Sequence, residues 1–280
     1  MVDVREWSRA DTATHLRVPT ADDDKYSRGV VALRTGSDGY PGAAVLGVEA
    51  AWRAGAGFVR FVGEGRAADA VIARRPETVT GRDVGATRVD AWVIGSGTSA
   101  DRAPEEEAAL RDILNGDAPV IVDAGALDLA ALDLAARSRA PMIITPHAGE
   151  FARLRETLRL RPDGDRTAQA VEVAALLDAV VLLKGATTLI AAPDGVVLSA
   201  ASAPSWLATA GAGDVLAGVL GALVAANPTA RLAEVAASGA WLHGYAAALA
   251  AGRTGGSPGH PIVALDVAEH VPTAIGDLLS

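Results

Sequence analysis

The chain contains no cysteine, few aromatic residues and only two lysines. The absence of cysteine excludes disulfides, thiolate nucleophiles and zinc sites with cysteine ligands, and we expect a cytoplasmic protein. Acidic side chains outnumber basic ones by 34 to 25, which gives a net charge of −9. This balance argues against a surface that binds nucleic acid or anionic lipid by bulk charge, so any anionic ligand must be held locally.

Long hydrophobic runs are also missing from the sequence. The longest apolar stretch, residues 215–226, has 12 residues including two glycines, whereas a membrane helix needs about 20. The first 16 residues lack the apolar core and cleavage site of a secretory signal. Half of the 280 residues are hydrophobic, which is typical of a folded globular protein and excludes a disordered chain. We expect a soluble protein with no membrane partner.

Strand-like apolar runs alternate with helical patterns through most of the chain. The predicted strands are residues 29–34, 57–62, 91–94, 119–122, 142–144 and 180–183. The predicted helices are residues 42–54, 67–74, 104–114, 126–136, 150–158, 167–177, 214–226, 232–250 and 267–279. Such alternation implies right-handed crossovers and a mostly parallel sheet that is covered by helices on both faces.

The pattern changes near residues 187–199, where two apolar runs flank the turn Pro193-Asp194-Gly195. This predicts a β-hairpin and therefore an antiparallel edge on the parallel sheet. The fold class is accordingly α/β, with three α/β/α layers. We expect residues 1–24 to form an irregular N-terminal arm and residues 25–280 to form one domain.

Ligands of open parallel sheets bind beyond the carboxyl ends of the strands, so residues that directly follow each strand are candidates. Three glycines and a proline follow the first strand in TGSDGYPGAA, residues 35–44. This segment either forms an anion site at the N-terminus of the next helix or is an ordinary turn between strand and helix. Gly95-Ser96-Gly97 follows the third strand and allows a ligand to approach the backbone. Asp123 follows the fourth strand as a polar contact or a helix cap.

Two further strand ends carry titratable side chains. His147 and Glu150 follow residues 142–144 and lie three residues apart. His147 can donate to a phosphate or ribose and Glu150 can hold Mg²⁺ through water, although both also suit a helix cap. Lys184 ends the strand at 180–183 and is one of the two lysines, with Lys25, among 25 basic residues. A cation there must reach a ligand or sit beside a partner, because an unpaired buried charge is costly.

The strongest local pattern is the glycine and alanine run that opens the helix at residue 214. Gly211, Ala212 and Gly213 expose backbone N–H groups at the positive end of a helix dipole, which suits a phosphate. Asp214 stands in the first turn, where it can cap the helix or act as a base on a hydroxyl. The sequence has no P-loop, dinucleotide-binding glycine motif, nucleophile elbow or zinc-protease helix. The remaining histidines lie in no motif with other candidate site residues, and we expect structural or surface roles for them. They are His15, His243, His260 and His270.

Seven motifs in order resemble the ADP-dependent NAD(P)H-hydrate dehydratase family of the ribokinase-like superfamily. They are KxxxG at 25–29, PGAA at 41–44, RAGAG at 53–57, VDAGAL at 122–127, TPHxGEF at 145–151, LKGxxT at 183–188 and GDVLAG at 213–218. The resemblance implies a ribokinase-like fold and a hydro-lyase. It would use ADP to phosphorylate the S-form of hydrated NADH or NADPH and would release phosphate, AMP and NAD(P)H.

The resemblance also implies roles for individual residues. Asp214 would be the catalytic base on the substrate hydroxyl, and Ala43, Gly97 and His147 would contact the hydrated dinucleotide. Glu150 stands where related sugar kinases place a carboxylate that helps hold Mg²⁺. The family further implies a homotetramer, and the short segment before residue 25 leads us to expect no fused epimerase domain. The residues implied to hold the adenine nucleotide are Lys184, Gly185, Ala186, Thr187, Thr188 and Gly213.

Four motifs depart from the common family pattern. Asp24-Lys25-Tyr26-Ser27-Arg28-Gly29 stands where the family commonly has HKGxxG. Ser96 and Ala148 replace prolines, and Ala212 replaces a threonine. Each lost proline loosens a turn by about 0.4–1 kcal/mol, which does not abolish chemistry, so we expect a working enzyme. A kinase of a small alcohol such as a vitamin precursor, and a non-catalytic nucleotide-binding protein, are the alternative functions.

Overall fold

The computed structural model describes residues 2–99, 101–132, 140–201, 203–253 and 257–280. The strands are β1 (Val4–Glu6), β2 (Val30–Arg34), β3 (Phe58–Val62), β4 (Val79–Gly81), β5 (Ala91–Ile94), β6 (Val120–Val122), β7 (Met142–Ile144), β8 (Val180–Leu183), β9 (Thr188–Ala191) and β10 (Val197–Ala200). The helices are α1 (Arg9–Ala13), α2 (Pro41–Arg53), α3 (Gly65–Arg74), α4 (Pro104–Leu114), α5 (Leu127–Leu132), α6 (Ala148–Thr157), α7 (Arg166–Leu177), α8 (Ala212–Ala226), α9 (Leu232–Ala250) and α10 (Ala264–Leu279).

The described strands form one sheet in the order β1-β10-β9-β8-β7-β6-β5-β2-β3-β4. Strand β9 runs antiparallel to both β8 and β10, and every other neighbouring pair is parallel. The chain reverses between β9 and β10 at Gly195, whose φ of +87° lies in the region that glycine favours. The hairpin predicted from Pro193-Asp194-Gly195 is therefore confirmed, although β1 pairs outside it and forms the sheet edge.

Helices cover both faces of the sheet. Alternate strand residues point to opposite faces, so Val93 and Ile121 pack on one side while Ile94 and Val122 pack on the other. The first side carries α2, α3, α8, α9 and α10, and the second carries α4, α5, α6 and α7. The predicted three-layer α/β/α architecture is confirmed, and it places the carboxyl ends of β2, β5, β6, β7 and β8 along one edge of the sheet.

The N-terminal segment differs from the prediction of an irregular arm over residues 1–24. Strand β1 pairs in parallel with β10, and Trp7 is 3% exposed in the main core. The indole N–H of Trp7 donates to Ser238 Oγ of α9 at 3.1 Å. The prediction is wrong for residues 4–13 because a three-residue strand and a five-residue helix carry little local pattern, and distant contacts stabilise them.

Other differences are small. Strand β4 was not predicted, and most helix bounds shift by one or two residues, as is usual at frayed ends. The helix predicted at 126–136 is α5 up to Leu132, and residues 133–136 lie outside the described residues. No helix in the described part of the chain is both long and apolar enough to cross a membrane.

Candidate active site

A buried carboxylate, that of Asp123, lies at the centre of the strand-end residues. Asp123 follows β6 and is 3% exposed. Its Oδ1 accepts from Thr145 Oγ1 at 2.6 Å and from Lys184 Nζ at 2.9 Å, and its Oδ2 accepts from Ser96 Oγ at 3.0 Å. These donors follow β7, β8 and β5, so one carboxylate connects four neighbouring strand ends. The cap alternative for Asp123 is not realised, because its side chain makes no cap hydrogen bond to the short helical turn after it.

Lys184 sits between two carboxylates at the end of β8. Its Nζ lies 2.9 Å from Asp123 Oδ1 and 3.8 Å from Glu150 Oε2. A Cβ at Gly213 would lie 3.3 Å from the same Nζ. The structure therefore supplies Lys184 with the partner that a cation in this position requires. It also brings Lys184 to the start of α8, where the sequence predicts a phosphate site.

Asp214 lies in the first turn of α8, one residue beyond Gly213. Burial and the negative charge of Asp123 raise the pKa of Asp214 to about 6, while a hydrogen bond with Ser96 and the charge of Lys184 act in the opposite direction. A carboxylate with a pKa near the working pH is suited to general base catalysis. The predicted base, Asp214, therefore lies beside Asp123 and its hydrogen-bond donors and is half-buried.

The start of α8 has the backbone form that the glycine and alanine run predicts. Gly211 has a φ of +85°, which L side chains rarely adopt, and a Cβ there would lie 2.6 Å from Leu46 Cδ1, so glycine is favoured. The N–H groups of Ala212 and Val215 donate to the carbonyls of Thr209 and Gly211. The N–H groups of Gly213 and Asp214 lie at the N-terminus of α8. There an α-helix leaves its first N–H donors without intrahelical hydrogen bonds.

Ser96 is a functional candidate that sequence reasoning treated only as a lost proline. Ser96 is 1% exposed and its hydroxyl donates to Asp123 Oδ2, and the same side chain also lowers the pKa of Asp214. The hydroxyl thus connects the two acidic residues, a role proline cannot perform. Only the spatial proximity of β5 and α8 reveals it, since these elements are more than a hundred residues apart in sequence.

His147 and Glu150 form the N-terminal cap of α6. His147 Nδ1 accepts from the N–H groups of Gly149 and Glu150 at 3.0 and 3.3 Å, and Glu150 Oε2 accepts from the His147 N–H at 2.8 Å. This is the cap alternative of the sequence analysis. Because Nδ1 accepts, the proton of a neutral His147 is on Nε2, which lies 3.3 Å from Glu150 Oε1. A contact of His147 with substrate remains a prediction.

Gly97 and Ala43 meet across the gap between β5 and α2. A Cβ at Gly97 would lie 2.5 Å from Ala43 Cβ and 3.0 Å from Gly36 Cα, and Gly97 has a φ of +68°. The Gly36 N–H donates to the Ser96 carbonyl at 2.6 Å, which ties the turn after β2 to the turn after β5. The structure therefore brings together two of the three residues predicted to contact the hydrated dinucleotide.

The loop after β8 is held by an arginine that sequence reasoning missed. Gly185, Ala186 and Thr187 are exposed in this loop, and Thr188 begins β9. Arg166 of α7 donates from Nη2 to the carbonyls of Leu183 and Lys184 at 2.8 and 2.9 Å, and from Nη1 to that of Thr187 at 2.8 Å. These hydrogen bonds from Arg166 hold the backbone of the predicted nucleotide-binding loop in place.

His243 has a structural role, as the sequence analysis expects, and it contacts the start of α8. It is 5% exposed on α9 and hydrogen-bonds to the backbone of Ala212 at the start of α8. Burial, together with the charge of Lys184, lowers the pKa of His243 to about 4, so the imidazole is neutral. Its Nε2 has no hydrogen-bond partner among the described residues. No sequence motif marks it, because α9 is separated from the other site elements along the chain.

The described residues contain no group of three or more acidic or histidine side chains that could hold a metal ion. Asp123 is occupied by its three donors, and Glu150 caps α6. Mg²⁺ that accompanies nucleotide phosphates needs only one or two protein carboxylates. Glu150, whose side chain is 13% exposed beside Lys184, fits such an accompanying role but not a site made wholly of protein ligands.

Comparison with known proteins gives concordant matches. A family model described as NAD(P)H-hydrate dehydratase matches residues 31–262. The bifunctional NAD(P)H-hydrate repair enzyme Nnr of Mycobacterium leprae is 43% identical over 280 residues, covering 99% of this chain and 57% of that protein. The ADP-dependent (S)-NAD(P)H-hydrate dehydratase of Neisseria meningitidis is 38% identical over 256 residues, covering 86% of each chain. The chain spans about half the length of the bifunctional curated relatives it matches.

Solved structures support the same assignment. The ADP/ATP-dependent NAD(P)H-hydrate dehydratase from Bacillus subtilis, co-crystallised with ATP and Mg²⁺, matches with a TM-score of 0.82 and 28% identity over 99% of both chains. A ribokinase-like protein from Enterococcus faecalis matches with a TM-score of 0.85 at 23% identity, which supports the fold alone. The predicted ribokinase-like fold is confirmed, and the chain belongs to the NAD(P)H-hydrate dehydratase family.

Proposed function

We propose that this protein uses ADP to dehydrate the S-form of hydrated NADH or NADPH, releasing NAD(P)H, AMP and phosphate. The position of Asp214 carries the proposal, because it combines a raised pKa with the open N-terminus of α8 and the lysine at the end of β8. The family relationship supports the substrate class, and the Neisseria relative is named as ADP-dependent.

Asp214 accepts the proton of the substrate hydroxyl as that oxygen attacks the transferred phosphoryl group of ADP. The anion hole predicted at Gly211, Ala212 and Gly213 holds this group. Because the Ala212 N–H donates to the Thr209 carbonyl, the N–H groups of Gly213 and Asp214 serve as its donors, with help from the α8 dipole. The C–O bond to the phosphorylated oxygen then breaks and phosphate leaves with the bonding electrons. The adjacent ring carbon loses a proton, which restores the dihydropyridine ring. Ala43, Gly97 and His147 position the hydrated ring.

The adenine nucleotide occupies the side of the site near β8. Lys184, Gly185, Ala186, Thr187 and Thr188 form the loop that holds it, and the Lys184 charge offsets negative charge on its phosphates. Mg²⁺, when bound, neutralises charge on the phosphate oxygens. Glu150 would hold this ion through water at the N-terminus of α6.

The proposed function is tested by incubating the purified protein with hydrated NADH and either ADP or ATP, with Mg²⁺ or excess EDTA. We expect recovery of reduced-nicotinamide absorbance with ADP, release of AMP and phosphate in equal amounts, and loss of turnover in EDTA. Accumulation of a phosphorylated alcohol would instead indicate a kinase. Nucleotide binding without turnover would indicate a non-catalytic relative, and turnover only with ATP would contradict the donor.

Replacing the base should separate catalysis from stability. Asp214→Asn removes the proton acceptor, and general base catalysis is worth about 10²–10⁴-fold, so kcat should fall by at least that factor. The pKa of Asp214 is raised from 3.8 to about 6 on folding, so the ionised side chain opposes folding. The folded state favours the protonated form of Asp214. The stability that this protonation gives is complete below about pH 4 and is lost as the pH rises through about 6.

The same variant should therefore melt at a higher temperature than the parent protein at pH 8, and the difference should shrink towards pH 4. Scanning calorimetry at both pH values checks the stability, and the coupled absorbance assay checks the rate. A variant that turns over at a near-parental rate would remove Asp214 as the base.

Ser96 should set the acidic limb of the pH profile. Its hydrogen bond lowers the pKa of Asp214, so Ser96→Ala should raise that pKa and move the acidic limb of kcat/KM to a pH above about 6. Thr145→Val is the matched control, because Thr145 donates to Asp123 and has no hydrogen bond to Asp214. An unchanged limb in Ser96→Ala, or an equal shift in the control, would contradict this role.

Lys184 should affect both nucleotide affinity and the base. Lys184→Met keeps the length of the side chain and removes a charge that lowers the pKa of Asp214. We expect ADP to bind about tenfold or more weakly by calorimetry, as for a lost charged hydrogen bond, and the acidic limb to rise. Lys25→Met is the control, since exposed Lys25 lies over the rings of Tyr26 and Phe58. Unchanged ADP affinity would make Lys184 a purely structural partner of Asp123.

A further inference from the structure

A half-buried arginine without a carboxylate partner lies behind the nucleotide loop, residues 184–188. Arg166 is the first residue of α7. Among the residues that the structure describes, no carboxylate pairs with it, and burial lowers the pKa of its guanidinium. The neighbouring Asp165 instead caps α7, accepting from the Ala168 N–H at 2.8 Å. A poorly paired charge is costly to bury, and a cation in the first turn of a helix opposes the helix dipole. The contacts of Arg166 must offset both effects.

The contacts of Arg166 are the carbonyl oxygens at the two ends of the loop. Its Nη2 donates to the carbonyls of Leu183 and Lys184 at 2.8 and 2.9 Å, and its Nη1 donates to that of Thr187 at 2.8 Å. Carbonyl oxygens carry partial negative charge and would repel a phosphate that they faced. Arg166 holds three of them on its own side of the loop.

The direction of these carbonyls also determines the direction of an N–H group. The C=O and N–H of a planar trans peptide point in opposite directions. Because the Lys184 carbonyl points towards Arg166, the Gly185 N–H points away from it. The N–H groups of Gly185, Ala186 and Thr187 donate to no acceptor among the described residues, and all three residues are exposed. Successive free N–H groups in a turn form a concavity that binds anions.

Gly185 lets the guanidinium approach the loop closely. A Cβ at this position would lie 2.6 Å from Nη2 and 3.1 Å from Cζ of Arg166. The φ of Gly185 is not positive, so its backbone conformation also suits alanine. A methyl group there would therefore leave the backbone unstrained and displace the guanidinium from its three carbonyls.

The balance of charge distinguishes Arg166 from Lys184. Lys184 Nζ lies 2.9 Å from Asp123 Oδ1 and 3.8 Å from Glu150 Oε2, so carboxylates already compensate its charge. Arg166 faces neutral carbonyl oxygens instead. In a chain with a net charge of −9, Arg166 thus places uncompensated positive charge directly behind the loop.

We propose that Arg166 is a positioning residue for the phosphates of a nucleoside diphosphate. It holds the carbonyls of residues 183, 184 and 187 away from the phosphates and turns the Gly185 N–H towards them. Arg166 acts through the backbone and does not contact the nucleotide. The inference rests on the proposed function, which takes residues 184–188 as the loop that holds ADP.

The test measures ADP affinity by calorimetry together with steady-state kinetics. Arg166→Met should weaken ADP binding about tenfold, as for a lost charged hydrogen bond. The KM for ADP should rise equally, while kcat at saturating ADP and the KM for hydrated NADH hold, because only binding of ADP is affected. Arg166→Lys keeps the charge but lacks the planar fork, so it should bind ADP more tightly than Arg166→Met and more weakly than the parent protein.

Arg155→Met is the matched control for a general structural effect. Arg155 of α6 is 5% exposed, donates to the carbonyls of Arg161 and Gln169, and pairs with Glu172 at 2.8 Å. It therefore supports backbone carbonyls near α7 without touching the nucleotide loop. The control should melt at a lower temperature and bind ADP normally. Equal loss of ADP affinity in the two methionine variants would overturn the role of Arg166.

A double-mutant cycle tests whether Arg166 acts through Gly185. Gly185→Ala should weaken ADP binding in the parent protein, because the new methyl group displaces the guanidinium. In the Arg166→Met background the same substitution should have little further effect, since the displaced group is already absent. An equal loss in both backgrounds would mean that the methyl group obstructs ADP itself, and it would contradict the positioning role.

The outcomes separate this inference from the proposed function. Turnover in the parent protein with unchanged ADP affinity in Arg166→Met would overturn the inference and leave the function intact. A parent protein that binds ADP without turnover would overturn the function, and calorimetry on the variants would still decide the role of Arg166. A parent protein that does not bind ADP would overturn both.

Discussion

The buried carboxylate of Asp123 is the constraint on which the rest of the site depends. A charge in the protein interior is tolerated only where partners compensate for the lost water. Thr145, Lys184 and Ser96 supply that compensation from the ends of β7, β8 and β5. The Asp123 carboxylate keeps all of its hydrogen bonds only while each of these donors stays in place. The hydrogen bonds of one side chain therefore fix the relative positions of four strand ends, and with them the edge of the sheet where ligands bind.

The same charge prepares Asp214 for chemistry. A second carboxylate near the first is costly to ionise, and burial adds to the cost, so the pKa of Asp214 rises to about 6. Ser96 and Lys184 limit the rise, since both favour the ionised form. The base thus remains mostly ionised at neutral pH while it retains enough affinity to accept a proton. The arrangement costs folding free energy at that pH, which is a common price of catalytic sites.

The sequence predicts the repeating part of the fold well because strands and helices differ in hydrophobic period over short distances. It also predicts Lys184 and Asp123 as site candidates, since ligands of open parallel sheets bind beyond the strand ends. Asp214 is predicted instead from the glycine and alanine run that opens α8. It fails where the decisive contact joins distant segments. Strand β1 pairs with β10 across nearly two hundred residues, and the contacts of Ser96 and His243 with the start of α8 leave no local pattern.

The distribution of unpartnered polar atoms adds an argument that does not depend on family membership. Among the described residues, three buried side-chain atoms lack partners: Thr35 Oγ1, Arg102 Nη1 and His243 Nε2. Thr35 follows β2, Arg102 bonds to the backbone after β6, and His243 contacts the start of α8. Random defects in packing would be scattered through both cores. Their concentration at one end of the sheet marks the end that carries Asp214 as the part of the fold where buried polar contacts are incomplete.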